Sequence, residues 1–385
     1  MDIVGIICEY NPFHNGHIYH LNKVKELFPN SIIILIMSSS FTQRGIPSII
    51  NKWDKTEIAL KYGVDLVVEL PFPFASQSAD FFADASIKLL THLKCNYLVF
   101  GSESNNIDTL LSLANSTINN NEYDKRVKKY LDLGNNYPTS LNLALKDLTG
   151  NDIISPNDLL GFSYVKAIIN QKSNIKPITI KRTNDYNNTT LSINNISSAS
   201  SIRLAFQTNS KWKQHVPIET IQKMENSKFL IENYFPFIKY KILTCDDLSI
   251  YQTVDEGIGN RLKKVIVNVE SVEELIKQVK TKRYTYNKIS RMLIHILCEF
   301  TKEKAQMFKE IEYIRILGFS NNGKNYLNKI KKDSSIPIIT TYSKGNSKML
   351  KYEKTITSVY ASVLDEKNKN DLIKQEYMNK PKMMR

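Results

Sequence analysis

Four short apolar runs separated by helix-like segments constrain the fold of this chain more than any other feature. Residues 3–8 (IVGIIC), 31–37 (SIIILIM), 65–70 (DLVVEL) and 96–100 (NYLVF) are brief and rich in β-branched side chains. Continuous apolar runs of this length are the pattern of strands buried on both faces. Between them, residues 17–27, 54–62 and 80–93 carry helical periodicity. In the first, Ile18, Leu21, Val24 and Leu27 share a side while Lys23, Lys25 and Glu26 face water. Strands alternating with helices specify a parallel, doubly wound sheet, hence an α/β fold. Ligands of such sheets sit beyond the carboxyl ends of the strands.

The pattern continues less regularly. Residues 109–149 read as helical, Pro156 opens another helix, and 177–181 (PITIK) form a strand that delivers Arg182. A polar loop rich in Asn and Ser follows over 184–201, and a helix restarts at Ser201. The α/β domain is placed at residues 1–209. Residues 210–385 are expected to form a second, mostly helical domain, with helices at 272–280, 286–300 and 325–330 and a short strand at 337–341. The charged tail from Asp365 is expected to fray.

Charge separates the same two regions. The chain carries a formal +14, yet residues 1–100 hold eight Lys/Arg against nine Asp/Glu, and residues 261–385 hold 27 against 13. A neutral front and a basic back suit a catalytic domain joined to one that binds a polyanion. A Lys-rich composition is the plain alternative, but it would spread the charge evenly. The 385 residues, 42% of them hydrophobic, are enough for two or three cored domains. No uninterrupted apolar stretch approaches the ~18 residues of a membrane span, and the start lacks the basic region of a signal peptide, so a cytoplasmic protein is expected. Cys8, Cys95, Cys245 and Cys298 have no metal-site or dithiol spacing and read as buried free thiols.

The first strand hands over to His14-Asn15-Gly16-His17 at the opening of a helix. A helix N-terminus offers unpaired N–H groups and partial positive charge, which suits phosphate. Gly16 permits close approach, and His14 and His17 lie about one turn apart on one face. Two imidazoles aimed at one anion can stabilise a phosphoryl-transfer transition state. A surface helix with incidental histidines and a metal site are the other readings; no carboxylate is spaced to complete the latter.

The quoted segment resembles the HxGH signature of the nucleotidyltransferase superfamily that includes class I aminoacyl-tRNA synthetases and cytidylyltransferases. Its second motif, Ile-Ser-Ser-Thr-x-Ile-Arg, is matched one residue longer by residues 196–203 (ISSASSIR), with Ser198, Ser200 and Arg203 at the corresponding positions. Longer stretches, among them GIICEYNPFHNGHIYHL, FTQRGIPSIINKWDKTEIAL, GVDLVVELPFPFASQSADFFA, LVFGSES, SPNDLLGFSYVKAI, TKRYTYNKISRMLIHIL and YIRILGFSNNGK, are similar to the tRNA(Met) cytidine acetate ligase family. The similarity spans nearly the whole chain.

That resemblance implies a Rossmann-like HxGH nucleotidyltransferase domain that activates acetate with ATP, releases pyrophosphate, and acetylates N4 of the wobble cytidine of elongator tRNA(Met). It implies ATP contact by Ile7, Cys8, Glu9, Tyr10, Asn11, Pro12, Phe13, His14, Asn15, Gly16, His17, Ile18, Tyr19 and His20, then Gly101, Asn157 and Arg182. His14 and His17 are assigned to the phosphates as catalytic groups, and Arg182 and Arg203 to the departing pyrophosphate. Mg2+ is expected with the ATP, on no dedicated protein metal site. Alone, Asn157 also reads as a helix cap and Arg182 as a surface ion pair. Cys8 is expected to pack rather than react. Ser38 and Lys288 stand where Gly and Arg are expected of the family.

Arg44, in Gln43-Arg44-Gly45, can contact acetate, phosphate or RNA, or simply belong to a turn. Lys282, Arg283 and Tyr284, with Lys288, Arg291 and Arg315, are the expected tRNA face, because cations beside stackable rings mark RNA surfaces; a solvated basic helix with core tyrosines is the alternative. Two rival functions remain at this level: an adenylyltransferase acting on a small metabolite, and a nucleotide-sensing RNA-binding protein.

Overall fold

The computed structural model describes residues 1–153, 155–182, 191–192 and 195–384. Half of the expected polar loop over 184–201 lies outside the described residues. The alternation at the front of the chain becomes β1 (Ile3–Cys8), α1 (Asn15–Leu27), β2 (Ile32–Ser38), α2 (Lys52–Lys61), β3 (Leu66–Leu70), a helix at Ala79–His92 and β4 (Tyr97–Ser102). After three further helices and the helix Pro156–Asn170 comes β5 (Lys176–Lys181). All five strands run parallel, in the order β5-β4-β1-β2-β3. β1 pairs with β2 from Ile3 opposite Ile32 to Cys8 opposite Met37.

Their side chains explain this arrangement. β2 and β3 are buried along their whole length, as strands covered by helices on both faces must be. Each fully buried Val, Ile or Leu contributes about 1.5–3 kcal/mol. The chain runs outward from β1 through β2 to β3, then returns to the other side of β1 with β4. The direction of winding therefore reverses between β1 and β4, and a crevice opens at their carboxyl ends.

The helical stretch expected over 109–149 is three helices, Ile107–Thr117, Asn121–Asp132 and Tyr137–Thr149. Each is started by an asparagine, Asn106, Asn120 and Asn136, whose side chain accepts from a backbone N–H of the first turn.

The back of the chain is mostly helical, as expected, and the short strand expected at 337–341 is present at Ile338–Ile339. It also extends the front sheet: β6 (Ile314–Ser320) pairs antiparallel with β3, and β7 (Ile338–Ile339) and β8 (Lys382–Met384) pair with β6. The sheet therefore crosses the boundary placed at residue 209. The tail does not fray: Glu366–Met378 is a helix that buries Leu372 and Glu376. Arg315 and Gly318 interrupt the apolar run of β6 and mask its strand character. A buried charge there is tolerated because Arg315 donates to Glu69 and Glu376, both also fully buried, which Lys52 joins at 2.6 and 2.9 Å. Arg315 is thus a structural ion-pair residue and not part of an exposed tRNA face. Among the described residues no helix is long and apolar enough to cross a membrane.

Candidate active site

The turn after β1 is pinned before it reaches the helix. Asn11 donates from Nδ2 to the Pro47 carbonyl at 3.2 Å and accepts the Ile49 N–H at 2.8 Å, and the Asn11–Pro12 peptide is cis. His14 then caps α1 in extended conformation. Its Nδ1 accepts the Gly16 N–H at 3.0 Å, while Nδ1 of His17 accepts the His14 N–H at 3.2 Å. The two histidines thus play the parts of Ser/Thr and Glu in a capping box. This decides their tautomer. With both Nδ1 atoms occupied as acceptors, a neutral ring carries its proton on Nε2. The rings stack at 3.8 Å, and Tyr10 lies against His17 at 4.6 Å.

Burial keeps these rings neutral. Desolvation, then Arg182 and Arg203, bring His14 down to about 3. Desolvation, then His14, His20 and Arg182, hold His17 well below its ordinary value, and His20 falls to about 4. The helix mouth therefore presents uncharged N–H donors. Burial also pushes the Cys8 thiol up to about 12, so it stays protonated.

Cations converge on the same crevice. Ser198 caps the helix Ala199–Gln207 through the Ser201 N–H at 3.1 Å. Ser200 Oγ accepts from Arg44 at 2.9 Å and from Arg203 at 3.2 Å, and Arg203 also donates to the Asn11 carbonyl. Two guanidinium groups thus meet on one hydroxyl, with the Glu9 carboxylate close enough to act on both. Burial, with Arg44 close by, brings Arg203 down to about 10, which leaves it charged at neutral pH. On the opposite wall Arg182 follows β5 and approaches Glu103 at 3.9 Å. Glu103 also accepts from the Asn157 side chain and from the Asp158 N–H at 3.1 Å. Asn157 is therefore no helix cap: Ser155 holds that position. At Gly101 a Cβ would lie 3.2 Å from Arg182 Cγ, so the glycine makes room for that arginine to cross the end of β4.

These groups line one cavity of about 810 Å³. Of the residues expected from the sequence, Ile7, Cys8, Glu9, Tyr10, Asn11, His14, Gly16, His17, Tyr19, His20, Gly101, Asn157, Arg182, Ser198, Ser200 and Arg203 are brought together there, with Arg44, Lys288 and Arg291. Pro12, Phe13, Asn15 and Ile18 are not on its surface: Phe13 is fully buried, and Asn15 donates to the carbonyls of Asn195 and Gln214. Lys282, Arg283 and Tyr284 also lie outside it. Arg283 pairs with Glu256 at 2.9 Å, and Tyr284 is buried with its hydroxyl on the Asp255 carbonyl, so it is not a free stacking ring. The sequence reading missed Gln77, Asp80, Phe81, Asn136, Tyr137, Gln252, Thr253 and Asn287, which come from four separate stretches of the chain. Only the segment after β3 could have been flagged, from its place at the carboxyl end of a parallel strand.

The back of the chain closes this cavity. Helix Tyr286–Leu297 sits on the Gln43–Gly45 turn, with Ser290 Oγ donating to the Gly45 carbonyl at 2.7 Å and Arg291 to the Gln43 carbonyl at 3.1 Å. Gly45 has φ +76°, and a Cβ there would lie 2.2 Å from the Arg291 nitrogen.

A switch point beside β1, a His-x-Gly-His helix mouth and a facing Ser/Arg helix define a nucleotidyltransferase of the HxGH class. Residues 1–376 match the HIGH Nucleotidyl Transferase family. Proteins called tRNA(Met) cytidine acetate ligase are 40% identical in Anoxybacillus flavithermus, over 99% of this chain and 100% of that one, and 40% identical in Clostridium novyi, over 94% and 96%. Crystal structures of Thermotoga maritima TmcAL superpose with TM-scores of 0.91 for the apo form and 0.90 for the form bound with alpha-thio ATP, each at 28% identity and covering 100% of this chain. The chain belongs to the tRNA(Met) cytidine acetate ligase family.

Proposed function

We propose that the protein is a cytoplasmic, ATP-dependent ligase that acetylates N4 of the wobble cytidine of elongator tRNA(Met). The observation that carries this reading is the capping box of α1, which leaves Nε2 of both His14 and His17 as donors toward a cavity that also holds Arg44, Arg182 and Arg203. The names of the relatives and the nucleotide analogue in the Thermotoga neighbour support it.

Acetate is a poor acyl donor because its oxygen leaves badly. An acetate oxygen attacks the α-phosphorus of ATP, the bond to the bridging oxygen breaks, and pyrophosphate departs. His14 and His17 donate to the phosphate oxygens as charge shifts, while Arg44, Arg182 and Arg203 neutralise the leaving pyrophosphate. The cytidine N4 lone pair then attacks the acetyl carbonyl; AMP leaves and N4 loses one proton. Among the described residues no group of three His, Cys, Asp or Glu is placed to hold a metal. Mg2+ fits here only as a partner of the nucleotide's own phosphates, where it would add charge neutralisation. Incubation with labelled acetate, ATP and bulk tRNA should yield N4-acetylcytidine. Adenylation of a small metabolite with no dependence on tRNA would defeat this reading.

A further inference from the structure

The cavity also holds, in its lining, residues chemically unlike the His, Ser and Arg groups of the helix mouth. Phe81 and Tyr137 line it and remain 60% and 43% exposed. They come from two helices, Ala79–His92 and Tyr137–Thr149, and neither ring packs on another aromatic ring among the described residues. Folding does not call for two large exposed rings at a cavity mouth.

Their placement is nevertheless fixed. Asp80, next to Phe81, accepts the Tyr137 hydroxyl at 3.4 Å and the Ser163 hydroxyl at 2.9 Å, so one carboxylate ties both helices together. Burial, then Asp80, raises Tyr137 to about 12, so its hydroxyl stays a donor. The same cavity is also lined by Lys288 and Arg291. Burial lowers both, Arg291 to about 10, which leaves Arg291 cationic at neutral pH. Exposed rings and cations on one cavity are the combination that receives an unstacked base with its phosphates.

We propose that Phe81 and Tyr137 form the subsite for the pyrimidine base extruded from the RNA, stacking on it while Lys288 and Arg291 hold the adjoining phosphates. The inference rests on the reading of this cavity as the acetylation site. It assigns these two rings to the RNA and not to the adenine of ATP.

The test separates the two half-reactions. Acetate-dependent exchange of pyrophosphate into ATP, measured without RNA, should stay within about twofold of wild type in Phe81→Ala and Tyr137→Ala, which also shows that these variants fold. Transfer of acetyl to tRNA should fall roughly 10- to 100-fold in each, the loss expected for one stacking ring. Phe81→Tyr and Tyr137→Phe keep a ring and should retain transfer within a few-fold. An anticodon stem-loop carrying pyrrolocytidine at the wobble position should be quenched by wild type and not by the Phe81→Ala, Tyr137→Ala double variant. Parallel loss of exchange and transfer would assign the rings to the nucleotide, and unchanged transfer would remove them from the site; either overturns the proposal. Absence of exchange in wild type would instead overturn the acetylation reading beneath it.

Discussion

At the residue scale, the proposed function gives His14 two jobs with two nitrogens. Nδ1 caps α1, and Nε2 is the proposed donor to the nucleotide in the cavity that His14 lines. The jobs separate by substitution. His14→Ala loses both: about 1 kcal/mol of helix-capping stability and ~10²–10³ in acetyl-adenylate formation. His14→Asn keeps an excellent cap, so its urea midpoint should match wild type while adenylation falls as far as in His14→Ala. Equal activity in His14→Asn and wild type would show that the imidazole serves only the helix. Glu103 makes a similar point: one carboxylate orients Asn157 and faces Arg182, though nothing in its local sequence marks it.

At the scale of elements, the site depends on the contact between the Gln43–Gly45 turn and helix Tyr286–Leu297. Gly45 sits in left-handed backbone with no room for a Cβ against Arg291. Gly45→Ala should cost about 1–3 kcal/mol through strain alone, read as a fall in the urea midpoint. It should also weaken ATP use, because Arg44 is displaced from Ser200. An unaltered KM for ATP would show that Arg44 does not contact the nucleotide. The link explains why Arg291, expected on an RNA surface, instead braces a turn on the front half while still lining the cavity.

At the scale of the whole molecule, buried charge and buried histidine set the response to mutation and acid. Arg315 is held above its ordinary pKa by Glu376 and Glu69, against the cost of burial. Removing it by Arg315→Met leaves two buried carboxylates with Lys52 as their cation, and should cost about 3–5 kcal/mol with tRNA affinity unchanged when measured on folded protein. All six histidines are pushed down, His14, His20 and His295 to about 3, 4 and 4, with burial the first cause. A histidine with a depressed folded pKa binds its proton more readily in the unfolded chain. Stability should therefore fall as pH drops below about 6.5, where unfolded histidine charges. Urea midpoints at pH 7, 6 and 5 should decrease in that order; a flat series would show that the rings titrate alike in the folded and unfolded chain.

The parallel half of the sheet and the helix mouth were legible because their information is local. Strand length, β-branching and helical spacing are written in consecutive residues, and His-Asn-Gly-His follows directly on the strand that aims it. The ISSASSIR segment was legible for the same reason, down to Arg203. What no local pattern carries is pairing between distant residues. The strand β6 hid behind Arg315, whose charge is admissible only beside Glu69 and Glu376, 246 and 61 residues away. Tyr284 looked available to RNA until packing claimed it. Short-range spacing thus determined the helix mouth at which the phosphates are proposed to bind. The walls of the cavity, and the sharing of each buried charge, were decided only when the back of the chain folded onto the front, because burial and ion pairing are properties of neighbours in space.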